Sequence, residues 1–169
     1  VEVFGLARPE MGEGWYRHAT AAIEQGPLRA AGGLTVSASG GLKLLKEADL
    51  IVVPGWRGID EPVPASLIEA LRAAHARGAR LMSLCSGVAV LAATGLLDGR
   101  KATTHWRYAD TILQRHPEIH LDPDVLYVDE CQILTAAGSA AGIDLCLHVV
   151  RRDFGADAAN SVARRLVVP

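Results

Sequence analysis

Residues 80–95 constrain the fold more than any other stretch of the chain. They begin with the short apolar run Leu81-Met82-Ser83-Leu84, preceded by Gly78 and Arg80. The run is too short for a helix and reads as a buried strand. After Cys85-Ser86-Gly87 the composition turns to Ala, Val and Leu and stops at Gly95, which suits a helix closed by a glycine just past its end. Cys85 therefore falls at a strand-to-helix hinge, where a side chain is presented at the carboxyl edge of a sheet. The serine of a G-x-S-x-G elbow is placed in the same way, with Ser83 and Gly87 here at the two glycine positions. The free N–H groups and positive end of the following helix favour a thiolate there. A small buried thiol fits the same stretch, because free cysteine is among the most buried residue types. At this point both readings stand.

The 169 residues suffice for one domain with a substantial core. Half the residues are hydrophobic but only 5% are aromatic, so Ala, Val and Leu must fill that core, as in layered α/β proteins. A net charge of −2 offers no global attraction to nucleic acid or to an anionic membrane. The cysteines at 85, 131 and 146 are odd in number and form no C-x-x-C pair. That spacing argues against a disulfide framework or a zinc site and for a reducing cytoplasm. No apolar run reaches the roughly 18 residues that span a bilayer, no signal peptide is visible, and no membrane partner is expected. The six histidines include no H-x-H pair, and the one pair four apart, His116 and His120, has Pro117 breaking any helix between them, so neither a metal nor a cofactor is expected.

Taken in order, residues 1–6 resemble the end of an amphipathic helix. Residues 15–23 alternate well enough for a strand, and Gly26-Pro27 is a turn. Short strands are expected at 28–30 and 34–37, and a short helix at 41–48. Residues 49–55 form the clearest strand. Their unbroken apolar run suggests a central parallel strand covered on both faces. A loop through Trp56 leads to a helix over 64–77, closed by Gly78. After the Cys85 strand and its helix, a short strand at 101–104 leads into a helix from about 105 to 115, with Thr104 as candidate N-cap. Residues 125–128 and 132–135 form a hairpin-like pair. Gly138 opens a long helix with Ile143, Leu147 and Val150 on one stripe, and a last helix covers about 156–166. Alternating strands and helices imply a mostly parallel sheet with helices on both faces and right-handed connections. Ligands bind such sheets outside the carboxyl ends of strands, here at Pro54-Gly55-Trp56 and at Cys85-Ser86.

His105 lies at a strand-to-helix junction of the same polarity as Cys85. A histidine in hydrogen-bond reach of a cysteine is the minimal activated thiol, and the N–H groups of Trp56 and Ser86 are placed to form an oxyanion hole. His105 capping its own helix is the competing reading.

The order strand–Cys85–Ser86–Gly87–helix, Gly95-Leu96-Leu97-Asp98-Gly99, then Ala102-Thr103-Thr104-His105-Trp106 resembles the ThiJ/PfpI superfamily, with its class I glutamine amidotransferase-like fold. Thr103 to Tyr108, Asp122 to Asp129, Gly138 to His148 and Arg151-Arg152-Asp153-Phe154-Gly155 look like the N-terminal domain of AraC-family transcriptional regulators of the FtrA/GlxA type. The resemblance covers essentially the whole chain as one domain, 1–169. It implies a flavodoxin-like three-layer sandwich, usually dimeric, with Cys85 at the elbow, oxyanion amides at Gly55-Trp56 and Ser86, and His105 close by. Ser86 stands where PfpI-type peptidases place a histidine, so that triad is absent. The family's first strand and the acidic residue after it are not found either; Glu2 matches a later position. The chain is therefore expected to be a fragment, without the family's first strand and without the DNA-binding helices that would follow Pro169.

Two functions follow. One is a ligand-sensing and dimerising domain of a transcription regulator, with a small-molecule pocket at Gly55, Trp56, Cys85, Ser86 and His105, and DNA contacted only through a domain outside this chain. The other is a cysteine-dependent enzyme, a hydrolase, isonitrile hydratase-like or glyoxalase-like protein, with Cys85 and His105 as catalytic residues. The sensor is preferred, because the regulator-like second half is the more specific match.

Overall fold

The computed structural model describes residues 1–168; of Ala31 only the backbone is described, and Pro169 lies outside. The strands are β1 (Leu28–Arg29), β2 (Thr35–Val36), β3 (Leu50–Val53), β4 (Arg80–Leu84), β5 (Lys101–Ala102), β6 (His120–Leu121), β7 (Tyr127–Glu130) and β8 (Ile133–Ala136). The helices are α1 (Ala65–Ala76), α2 (Val88–Ala93), α3 (Trp106–Arg115), α4 (Ser139–Phe154) and α5 (Ala156–Leu166). The central sheet runs β3-β4-β8-β7. Its β3–β4 and β4–β8 pairs are parallel and β7–β8 is antiparallel. The mostly parallel α/β sandwich expected from the sequence is therefore the fold.

Alternation along β4 and β8 divides the core into two layers, because successive side chains of a strand point to opposite faces. Leu81 stands opposite Ile133 and Met82 opposite Leu134. Leu81 and Ile133 join Leu71 of α1, Val88 and Leu91 of α2 and Ile112 of α3 on one face. Met82 and Leu134 join Leu145 and Val149 of α4 and Val162 of α5 on the other. Val3, Trp15 and Tyr16 of the amino-terminal segment lie against this second layer.

Two aspartates tie the second layer to the sheet. Arg80, at the start of β4, grips the Asp153 carboxylate with both terminal nitrogens at 2.8 and 2.7 Å, and the Tyr16 hydroxyl donates to the same carboxylate at 2.5 Å. At the β7–β8 turn, Asp129 accepts from Arg152 at 2.8 and 2.6 Å, lies 2.6 Å from His148 Nε2 and accepts from the Cys131 amide at 2.8 Å. Burial disfavours ionisation of both aspartates, yet these hydrogen bonds outweigh it and hold each carboxyl below the usual range.

The structure departs from the sequence reading in several places. Residues 15–23 form no strand; Ala21 makes a single bridge to Gly40 in an otherwise irregular segment. The short helix expected at 41–48 is a 3₁₀ segment, Leu42–Lys46. Among the described residues β3 pairs only with β4 and stands at the end of the four-stranded sheet. Its apolar run reports cover on its two faces and carries no information about lateral neighbours. On α4 the buried residues are Leu145, Cys146, Val149 and Val150, while Ile143 is exposed, so the core face is rotated from the stripe expected. The N-cap of α3 is His105, not Thr104.

Candidate functional site at the strand–helix elbow

β4 ends at Leu84, Cys85–Gly87 make one 3₁₀ turn, and α2 begins at Val88. Cys85 has φ 52°, a left-handed conformation that a side chain rarely adopts. Such a residue persists only where its surroundings over-determine it, and the surroundings are visible. A Cβ on Gly87 would lie 2.4 Å from the Val53 carbonyl oxygen, so the turn presses directly on the end of β3 and only glycine fits. The Ser86 hydroxyl accepts from the Trp56 amide at 2.9 Å and donates to the Trp56 carbonyl at 3.2 Å. The Thr104 hydroxyl donates to the Cys85 carbonyl at 2.8 Å. Three chain segments thus hold the thiol-bearing turn. Replacing Cys85 with glycine, which adopts positive φ freely, is expected to raise stability by about 0.5–1 kcal/mol, measurable as a higher urea midpoint with an unchanged m-value.

Ser86 is at once the residue that breaks the peptidase triad pattern and the clamp of the elbow. It also corrects one expectation. The Trp56 amide was expected to serve as an oxyanion donor, but its proton is already given to Ser86. Ser86→Ala removes both hydrogen bonds and leaves the Trp56 amide unpaired. A loss of about 1–2 kcal/mol is expected, checked by thermal unfolding.

His105 follows Thr104, whose hydroxyl donates to the Cys85 carbonyl. Its Nδ1 accepts from the Arg107 amide at 3.2 Å, capping α3. With Nδ1 as acceptor, a neutral ring carries its proton on Nε2. The ring lies against Gly138, whose Cβ would stand 3.4 Å from His105 Cδ2, and beside Trp106 and Tyr108 at centroid separations of 5.3 and 5.8 Å. Gly138 thus leaves room for the histidine at the start of α4.

Sequence reasoning missed the hold on the loop after β3. Arg115, in the last turn of α3, donates to the Ile59 carbonyl at 3.0 Å and pairs with Asp60, while the Trp56 indole donates to the Glu61 carbonyl at 3.0 Å. No local pattern signals a contact between positions 55 residues apart. Of the other cysteines, Cys146 is buried in the second core layer and its thiol is pushed up to about 12 by that burial. Cys131 is exposed at the β7–β8 turn with φ 65°. Two cavities, of about 450 and 500 Å³, lie at residues 22–42 and 5–18, and no elbow residue lines either.

The elbow is thus a cysteine held at positive φ between a parallel strand and a helix, with Thr104 of the next strand–helix junction bonded to its carbonyl. The regulator CdhR of Pseudomonas aeruginosa is 34% identical over 154 residues, which is 90% of this chain and 45% of that protein. An isonitrile hydratase of Pseudomonas putida is 34% identical over 119 residues, 70% of this chain and 51% of that protein. The chain spans about half the length of these relatives. Among solved structures, an AraC family transcriptional regulator from Pseudomonas putida superposes with a TM-score of 0.80 at 25% identity, over 93% of this chain and 84% of that one. The DJ-1/PfpI family matches residues 2–152, nearly the whole sequence, and the fold carries its elbow: the chain belongs to the DJ-1/PfpI family.

Proposed function

We propose that this chain is the ligand-sensing and dimerising domain of an AraC-family transcriptional regulator, acting in the cytoplasm as a homodimer. The observation that carries the reading is the similarity to CdhR over 90% of the chain, together with that regulator being about twice as long as the matched part. DNA contact belongs to a separate domain, and this chain supplies the small-molecule response. Its pocket is the elbow: Cys85, Ser86 and His105, with Gly55 and Trp56 from the loop after β3. His105 offers an N–H donor to a ligand acceptor, and the Arg115 tether sets how far that loop opens. Among the described residues no helix is long and apolar enough to cross a membrane.

The test is the parent reading frame. Helix-turn-helix motifs downstream of Pro169, and operator binding by the full-length protein that changes with a small molecule, are the expected results. A frame that stops near Pro169 refutes the reading.

A cysteine-dependent enzyme remains the second reading, favoured by the strained Cys85 and the similarity to an isonitrile hydratase. It is opposed by the Trp56 amide, whose proton is committed to Ser86. Turnover of amide, isonitrile or α-oxoaldehyde substrates that disappears in Cys85→Ala would establish it.

A further inference from the structure

The amino-terminal segment buries more hydrogen-bond donors than it satisfies. Arg8 is only 3% exposed. Its Nη2 donates to the Glu2 carbonyl at 2.8 Å. Its Nε and Nη1 are sealed from solvent without an acceptor among the described residues, and so is the Trp15 indole Nε1. A guanidinium does not give up its proton, so the charge stays, and a buried cation without a counter-charge is costly. No carboxylate forms an ion pair with Arg8 among the described residues. Asp153 is held by Arg80 and Tyr16, and Glu10 pairs with Arg165 at 3.2 Å.

Arg8 and Trp15 border the same cavity, of about 500 Å³, together with Leu6, Pro9, Tyr16 and His18. The unpaired groups there are all donors, one of them a full positive charge. Their natural complement is an anion that accepts several hydrogen bonds. Leu6, Pro9 and the indole face supply apolar wall, which a hydrated inorganic anion would not use. We propose that this cavity is a binding site for a small organic monocarboxylate, its carboxylate on Arg8 and Trp15 Nε1 and its apolar body against Leu6 and Pro9. The site is separate from the elbow. Tyr16 is tied through Asp153 to Arg80 at the start of β4, whereas Cys85 follows the other end of that strand. The Arg8 nitrogens and the Trp15 Nε1 are covered, so binding requires these two side chains to turn toward the cavity.

The experiment is calorimetric titration of the whole chain with sodium benzoate, sodium hexanoate, benzamide and inorganic phosphate. The expected result is saturable binding of one carboxylate per chain, with benzamide weaker by about tenfold or more, since it keeps the ring and loses the charge, and no heat from phosphate. Arg8→Met abolishes the binding. Should Arg8→Met fail to fold, Trp15→Phe, which keeps the wall and removes one donor, weakens benzoate binding with the circular dichroism spectrum unchanged. Absence of binding by both carboxylates at millimolar concentration overturns the proposal. Equal binding of benzoate and benzamide, binding of phosphate alone, or benzoate binding that survives Arg8→Met overturns it as well. Loss of benzoate binding in Cys85→Ala but not in Arg8→Met would assign the ligand to the elbow and also overturn it.

Discussion

Gly87→Ala is expected to destabilise the protein by about 3 kcal/mol or more, at the upper end of overpacking effects. A new Cβ would sit 2.4 Å from the carbonyl oxygen of Val53, and that oxygen belongs to the backbone at the end of β3. No side-chain rotation relieves the contact. Either the elbow lifts off β3, breaking the clamp between Ser86 and Trp56, or β3 slides along β4. Both routes unseat Cys85, so the variant is expected to lose the elbow chemistry and much of its fold together. Urea denaturation of the variant and of Gly95→Ala gives the contrast. At Gly95 the nearest atoms to a new Cβ are side-chain ends, the Asp98 carboxylate at 3.4 Å and the Arg72 guanidinium at 3.6 Å. There only the positive φ of 71° resists the methyl, for about 1 kcal/mol. Similar losses in the two variants would mean that the close approach at Gly87 does not define the elbow.

The second large effect is expected at Asp153. Its carboxylate joins Arg80 of β4 to Tyr16 of the amino-terminal segment, from the last turn of α4. Asp153→Ala leaves a guanidinium and a phenol without their acceptor. The pair is 21% exposed on each side, so the cost is placed at about 2 kcal/mol and not at the 3–5 of a fully buried pair. The pH dependence separates this from mere loss of packing. The Asp153 carboxyl titrates below its usual range when folded. Its stabilising contribution is therefore complete above the unfolded value of about 3.9 and is lost as the pH falls through the lower folded value. The stability difference between the native chain and Asp153→Ala is accordingly expected to be largest near neutrality and to shrink as the pH falls below about 4. A difference that stays constant down to the acid limit would show that the carboxylate charge contributes nothing. Asp129 follows the same sign, so Asp153→Ala retains an acid-sensitive tie at the β7–β8 turn.

Residues 80–95 were legible because their signals are local. An apolar run, a serine–glycine pair and a terminal glycine follow one another within the span of a single strand–turn–helix, and the sheet placed Cys85 where that order puts it. His105 was legible as a second junction of the same polarity, and the resemblance in residues 102–106 pointed to the same place. Its capping role is one of the two readings open from sequence, and the structure shows it, with Nδ1 accepting from the Arg107 amide once α3 has formed. The lateral place of β3 was not legible, because hydrophobic pattern reports faces and is silent about neighbours. The Trp56 amide was misassigned because nothing near it in sequence announces that Ser86, 30 residues away, takes its proton.

The sequence by itself determined the layered α/β class, the hinge at Cys85 and the family, all of which depend on periodicity and on short contiguous motifs. The tertiary structure alone decided which donors remain free. It consumed the Trp56 amide through Ser86 and bound Asp153 between two segments. Both are pairings between residues far apart in the chain, and a long-range pairing exists only after packing has brought its two halves within hydrogen-bond distance.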